Sequence, residues 1–249
     1  VTGEVVANEF AKMRHLRVGV LVPVLFALIL GIVLYAITSD PSFAPGSDEA
    51  WNLLLNGICH GTLIASPLLL AVLASRQVDI EHQGNGWLLS ATSGATPGRL
   101  CRAKFVSLGV LIVGAIVLAS VIAFGIAVAM LGTGAPVPIG RWAGVTVSAT
   151  VVSLVILAVQ LLLAAKIENQ LVGIGVGLLG IIFAMISVEM PAWVQHLVPW
   201  GYYALGMPAE YRDGVLVEIA PSFASVGILG AVAAALFILL TGLFDRQEA

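Results

Sequence analysis

Charge is what this chain has least of. Only 10% of its 249 residues are Asp, Glu, Lys or Arg, against about 25% in an ordinary water-soluble domain. So few charges cannot cover a surface that faces water, and a soluble globular protein is excluded. The net charge is −3 and no basic run is present, so there is no electrostatic footprint for nucleic acid. The two cysteines, Cys59 and Cys101, stand in different segments, which argues against a disulfide framework. The four histidines, His15, His60, His82 and His196, are scattered, and no H-E-x-x-H zinc motif occurs. A G-x-x-x-x-G-K-S/T phosphate loop is also missing, so the chain cannot bind ATP in that way. No catalytic, metal or cofactor site is predicted.

What is there is apolar: 59% of the residues. A membrane-spanning helix needs roughly 20 consecutive apolar residues. Six stretches meet that length: Val18–Ile37, Trp51–Ala74, Phe105–Leu131, Trp142–Ala165, Leu171–Val188 and Ser222–Phe244. A transmembrane β-barrel is excluded, because its strands alternate over about 10 residues rather than run continuously apolar. The first stretch is longer than a signal-peptide core and no small-residue cleavage site ends it, so it reads as a retained span. The prediction is one all-α integral membrane domain over residues 1–249 with six spans.

Sidedness follows from the basic residues, which collect in cytoplasmic loops. With the N-terminus inside, Lys12, Arg14, Arg17, Arg76, Arg99, Arg102, Lys104, Lys166 and Arg246 are cytoplasmic, and only Arg141 and Arg212 are outside. Nine against two places both termini in the cytoplasm. Tyr35, Trp51, Trp142, Trp193, Trp200, Tyr202, Tyr203 and Tyr211 then fall at or beyond the outer boundary, as an aromatic belt. Residues 1–17 are expected to form an amphipathic helix on the inner surface: Val6, Phe10 and Met13 share a face, with Glu9, Lys12 and Arg14 off it. Residues 189–221 are expected outside, as short re-entrant helices cut by Pro199 and Pro208.

Against this background the segment 75–104 is unusual. "DIEHQ" is polar, Gly84 and Gly86 loosen the chain, and "WLLSA" is long enough for a turn or two of helix. "TSGATPG" is turn chemistry, and Thr96 followed by Pro97 marks the start of the third span. A solvated loop obeying the positive-inside rule accounts for the Arg and Lys residues. It does not account for Trp87-Leu88-Leu89, since a buried aromatic anchor is typical of an interface. Glu81 and His82 are adjacent, so they do not share a helical face, and they read as surface polarity rather than a catalytic pair.

Here the sequence resembles a family. "ANEFAKMRHLRVGVLVPVLFALI" at 7–29 is similar to the N-terminus of type 2 ABC-transporter permeases, in which an E-x-x-K-x-(K/R) surface helix runs into a first span containing Pro; here the residues are Glu9, Lys12, Arg14 and Pro23. Arg76, Glu81, His82, Gly86, Trp87, Leu88, Leu89, Pro97 and Lys104 resemble elements of the bacitracin- and lantibiotic-immunity branch, with a longer gap from Leu89 to Pro97. The resemblance implies a short coupling helix in the first cytoplasmic loop, with Glu81, His82, Trp87, Leu88, Leu89 and Arg99 facing a separate ABC ATPase subunit. ATP and Mg would be bound on that partner. It also implies a second permease, the same chain or a paralogue, and export of a membrane-active peptide or hydrophobic antibiotic.

Polar residues inside the spans form two stripes. Asn52, Asn56, Cys59 and Ser66 share one face of the second span, and Thr146, Thr150, Ser153 and Gln160 repeat the pattern in the fourth. Such stripes either join helices by hydrogen bonds or line a substrate path. Gly173, Gly177 and Gly180 form a third stripe suited to close helix packing. No charged residue is placed mid-membrane, which counts against an ion-coupled secondary transporter. That class and a non-transporting scaffold or sensor subunit are the alternatives to the exporter.

Overall fold

A computed structural model of the chain describes residues 3–16, 18–40, 43, 47–83, 86–92, 94–131, 136–212 and 215–247. Arg17, Gly84 and Ser93, used above, lie outside the described residues, as do the side chains of His15 and Asp48. Among the described residues ten α-helices and one hairpin follow in order: α1 (Gly3–His15), α2 (Val18–Ser39), α3 (Asp48–His82), α4 (Gly86–Thr92), α5 (Pro97–Leu131), α6 (Ile139–Lys166), α7 (Gln170–Ser187), α8 (Ala192–Gln195), α9 (Tyr202–Leu205), β1 (Ala209–Arg212), β2 (Val215–Glu218) and α10 (Phe223–Gln247).

Six of these helices, α2, α3, α5, α6, α7 and α10, are long and apolar enough to cross a membrane. They match the six expected stretches. Two run well beyond them. α3 and α5 each have 35 residues, about 52 Å at 1.5 Å per residue, against a hydrocarbon core of about 30 Å. The polar stretch from Arg76 to His82 is therefore the last two turns of α3 and not a loop. Helix α5 begins at Pro97, where a missing N–H costs no hydrogen bond. Ser47 Oγ caps α3 by accepting from Ala50 N, and Asn169 Oδ1 caps α7 by accepting from Leu171 N.

Helix α3 is the centre of the bundle and packs against α2, α6 and α7. Helix α10 touches α5 and α6. The glycine stripe of α7 brings its backbone against α3: a Cβ on Gly177 would meet Ala71 Cβ at 2.7 Å and Pro67 O at 2.9 Å. The start of α5 lies as close to the end of α10, since a Cβ on Gly98 would collide with Thr241 O.

The opposite end of the bundle differs from expectation in two ways. Residues 189–221 do contain the short helices α8 and α9 with a 3-10 turn at Pro199–Gly201 between them, but they also contain an antiparallel hairpin, β1–β2. Asp213-Gly214 between the strands is a strong hairpin signal. The aromatic belt is only partly a belt. Tyr35, Trp193 and Tyr211 are exposed, but Trp51, Trp142 and Tyr203 are buried in protein. Trp142 meets Trp51 and Phe124 edge-on and donates its indole N–H to Ser120 Oγ at 2.9 Å. Packing between helices, not the headgroup layer, holds these rings.

Candidate functional site

The ends of α3, α6 and α10 meet α1, α4 and the start of α5 at one end of the bundle. This is where the charged residues gather. Helix α1 lays Phe10 and Met13 toward the protein and packs on α5 and α2, while Val6 is half-buried. Glu9 was expected on the solvated face. Instead it points into the same contact and is 1% exposed. Its carboxylate is enclosed by Lys12 of its own helix, Gln77 of α3 and Lys104 of α5.

Glu9 belongs to a buried ion cluster. Lys104 on α5 is 0% exposed and Glu81 on α3 only 2%. Lys104 Nζ donates to Glu9 Oε2 at 2.7 Å, to Glu81 Oε1 at 2.8 Å and to Gln77 O at 2.9 Å. All three ammonium donors are used. Lys12 Nζ donates to Glu9 Oε1 at 2.8 Å and Glu81 Oε1 at 2.6 Å, and Gln77 Nε2 donates to Glu9 Oε2 at 2.8 Å. Two carboxylates and two ammoniums balance, the condition under which buried charges are tolerated. Burial works against the charge on Lys12, but the hydrogen bonds and charges of Glu81 and Glu9 outweigh it and raise its pKa above the ordinary 10.5. Its share of stability is therefore complete below pH 10.5 and lost only above that.

Two expectations are corrected here. Glu81 is not surface polarity and does not face outward; it ties α3 to α1 and α5. Lys104, read as one of the basic residues of the first cytoplasmic loop, is fully buried in the protein. The spacing of Lys104 and Glu81 in the chain, 23 residues, carries no periodic signal that would pair them. Gln77, which completes the cluster, was not anticipated.

His82, one residue on, points to the other side of α3. Its Nε2 lies 2.9 Å from Ala164 O in the last turn of α6, and its Nδ1 accepts from Trp87 Nε1 at 3.3 Å. The tautomer with its proton on Nε2 satisfies both contacts and supplies a donor to a carbonyl that has no helical partner. The Trp87 ring stands edge-on to His82, 5.7 Å between centroids. Gly86 lets α4 fold back onto α3, since a Cβ there would lie 2.7 Å from Glu81 Cα. Gly94, at φ 80°, makes the turn into α5 in the left-handed region that favours glycine.

Helix α4 thus faces two ways. Trp87 is half-buried and turned inward, whereas Leu88 and Leu89 are 64% and 66% exposed. The three residues, adjacent in sequence, therefore do not share one environment. Arg99 donates its backbone N–H to Asp245 Oδ1 at 3.2 Å and one guanidinium N–H to Gly94 O at 3.4 Å. Arg102 bonds Thr241 Oγ1 at 3.0 Å and Asp245 Oδ2 at 2.9 Å. These contacts clamp α5 to α10, and neither Thr241 nor Asp245 was legible as a partner. Lys12 is half-buried and Arg14 exposed.

The polar stripes lie inside the bundle. Asn52, Asn56, Cys59, Ser66, Ser153 and Gln160 are buried, and Thr146 and Thr150 are half-buried. Thr146 Oγ1 is 2.5 Å from Ser120 Oγ, Ser153 Oγ is 2.9 Å from the Tyr203 hydroxyl, and Thr150 Oγ1 donates to Thr146 O. Ser66 Oγ lies near the same Tyr203 hydroxyl but outside hydrogen-bonding geometry. Asn52 Oδ1, Asn56 Oδ1 and the Gln160 carboxamide meet no hydrogen-bond partner among the described residues. Beside Cys59 lies a void of about 10 Å³, roughly one water in size.

Six apolar spans, a buried ionic knot at one end and a short helix held beside it with two exposed leucines define a helical integral membrane protein. The ABC-2 family transporter protein model matches residues 5–186, and the chain belongs to that family: it is a membrane-spanning permease component of an ABC transporter. Among curated proteins none matches it.

Proposed function

We propose that this permease works in an ATP-driven exporter, with both termini in the cytoplasm and α4 seated on a separate ABC ATPase. The observation that carries the docking role is the split character of α4. Trp87 and His82 fix it to α3 and α6, while Leu88 and Leu89 face away from the protein. A push on α4 passes through His82 to α6 and through Gly86 against Glu81 to the ion cluster. From there it reaches α1 and α5. The nine-to-two distribution of basic residues supports the cytoplasmic assignment. A second permease, the same chain or a paralogue, completes the transporter.

The cargo is an amphipathic, membrane-active peptide or a hydrophobic antibiotic, as resemblance to the bacitracin and lantibiotic branch implies. The absence of a predicted mid-membrane charge fits a cargo recognised by apolar contact. Isolation of the tagged chain from its native membrane should bring down an ABC ATPase whose hydrolysis in liposomes rises with such a peptide. Isolation without any ATPase would overturn the reading. In a background lacking Cys59 and Cys101, a thiol at Thr92 should react with an impermeant reagent only after cells are opened.

The stripe on α3 serves packing rather than transport in this reading, because it is enclosed by its own chain. Asn56→Leu removes an oxygen with no protein partner, and such a change is close to neutral. Thermal stability and transport should both stay near wild type. Loss of transport at full stability would assign the stripe to the cargo path.

A further inference from the structure

Between α5, α6 and α10 runs an apolar cleft of about 500 Å³. Its floor is made of small residues, Ala158, Ala233 and Ala234, and one wall is the tilted ring pair Phe105 and Phe237, 4.9 Å between centroids. At the membrane centre it is shut, because a Cβ on Gly230 would already lie 2.8 Å from Val151 Cγ1. At the other end stands Arg102, the one charged residue that lines it among the described residues.

We propose that this cleft holds one acyl chain of an anionic phospholipid, with the phosphate at Arg102. Depth favours a lipid. From Gly230 to Ile238 the cleft follows α10 for about 12 Å, close to the roughly 15 Å of one leaflet's hydrocarbon. Its volume suits a single small ligand and is too narrow for a helix about 10 Å across. Charge favours an anionic headgroup. The mouth lies where the first turns of α5, carrying Arg99 and Arg102, meet the last turn of α10, carrying Asp245 and Arg246. Arg102 gives one N–H to Thr241 and one to Asp245, and its fork carries five donors. Basic sites between spans at the membrane boundary bind acidic headgroups for this reason. A lipid there would wedge against the α5–α10 contact that Gly98, Arg102, Thr241 and Asp245 make.

The test uses the full chain in nanodiscs of mixed phosphatidylglycerol and phosphatidylcholine, followed by native mass spectrometry. Wild type should retain one phospholipid per chain, with about a fivefold preference for phosphatidylglycerol. Ala234→Phe should abolish retention by filling the cleft. Arg102→Gln should keep a lipid but lose the preference. Because either variant can fold poorly, wild type is also photolabelled with phosphatidylglycerol carrying a diazirine in its acyl chain. Adducts should map to α5, α6 and α10 around Phe105, Leu154 and Phe237. Equal retention of both lipids by wild type, adducts spread over all six spans, or a photoreactive residue at position 234 that captures a second copy of the chain would each overturn the proposal.

Discussion

Lys104→Met should be the most damaging single change in the protein. It leaves Glu9 and Glu81 buried on either side of an apolar side chain, with only Lys12 to answer them. Removing one partner of a buried ion pair costs about 3–5 kcal/mol, which is a large part of the stability of an ordinary domain. The expected result is a large fall in purified yield and in the midpoint of thermal unfolding in detergent. The double variant Lys104→Met with Glu9→Gln restores charge balance and should recover a substantial part of the loss. That recovery separates an electrostatic knot from simple packing, because two independent packing defects would add. A midpoint for Lys104→Met within a degree or two of wild type would mean the cluster does not hold α1, α3 and α5 together.

The paired replacement of Leu88 and Leu89 by Ser should have the opposite profile. Both side chains are exposed in the isolated permease, so its stability should not change. If they enter a groove on the ATPase, burying each contributes about 1.5–3 kcal/mol. Loss of both should weaken the complex by two orders of magnitude or more. The measurement is ATPase retained on the tagged permease, beside the unfolding midpoint. Trp87→Ala should do something different: its indole packs on His82, so α4 should loosen and transport should fall before the subunits part. Full ATPase retention by the double Ser variant would move the docking surface away from α4.

The covalent sequence alone determined the membrane class, the six spans and the turn into α5. Each rests on a local rule. A run of about 20 apolar residues must leave water, and Pro97 after Thr96 can begin a helix but not sit inside one without cost. The glycine stripe on α7 was legible for the same reason: its period places Gly173, Gly177 and Gly180 on one side of the helix whatever it meets.

The tertiary structure decided which polar groups are inside. Glu9 and Lys104 are 95 residues apart, and neither has a neighbour in sequence that marks it as buried. As a count of charges Lys104 belongs with Arg99 and Arg102. In the fold it lies one turn deeper, where α1 covers it and solvent cannot reach. Glu81 and His82 are adjacent in the chain, yet they turn to opposite sides of α3, one into the ion cluster and one to α6. The division within "WLL" is of the same kind. Only the fold of α4 back onto α3 turns Trp87 inward and leaves Leu88 and Leu89 bare, because burial depends on what a side chain meets and composition depends only on what it is.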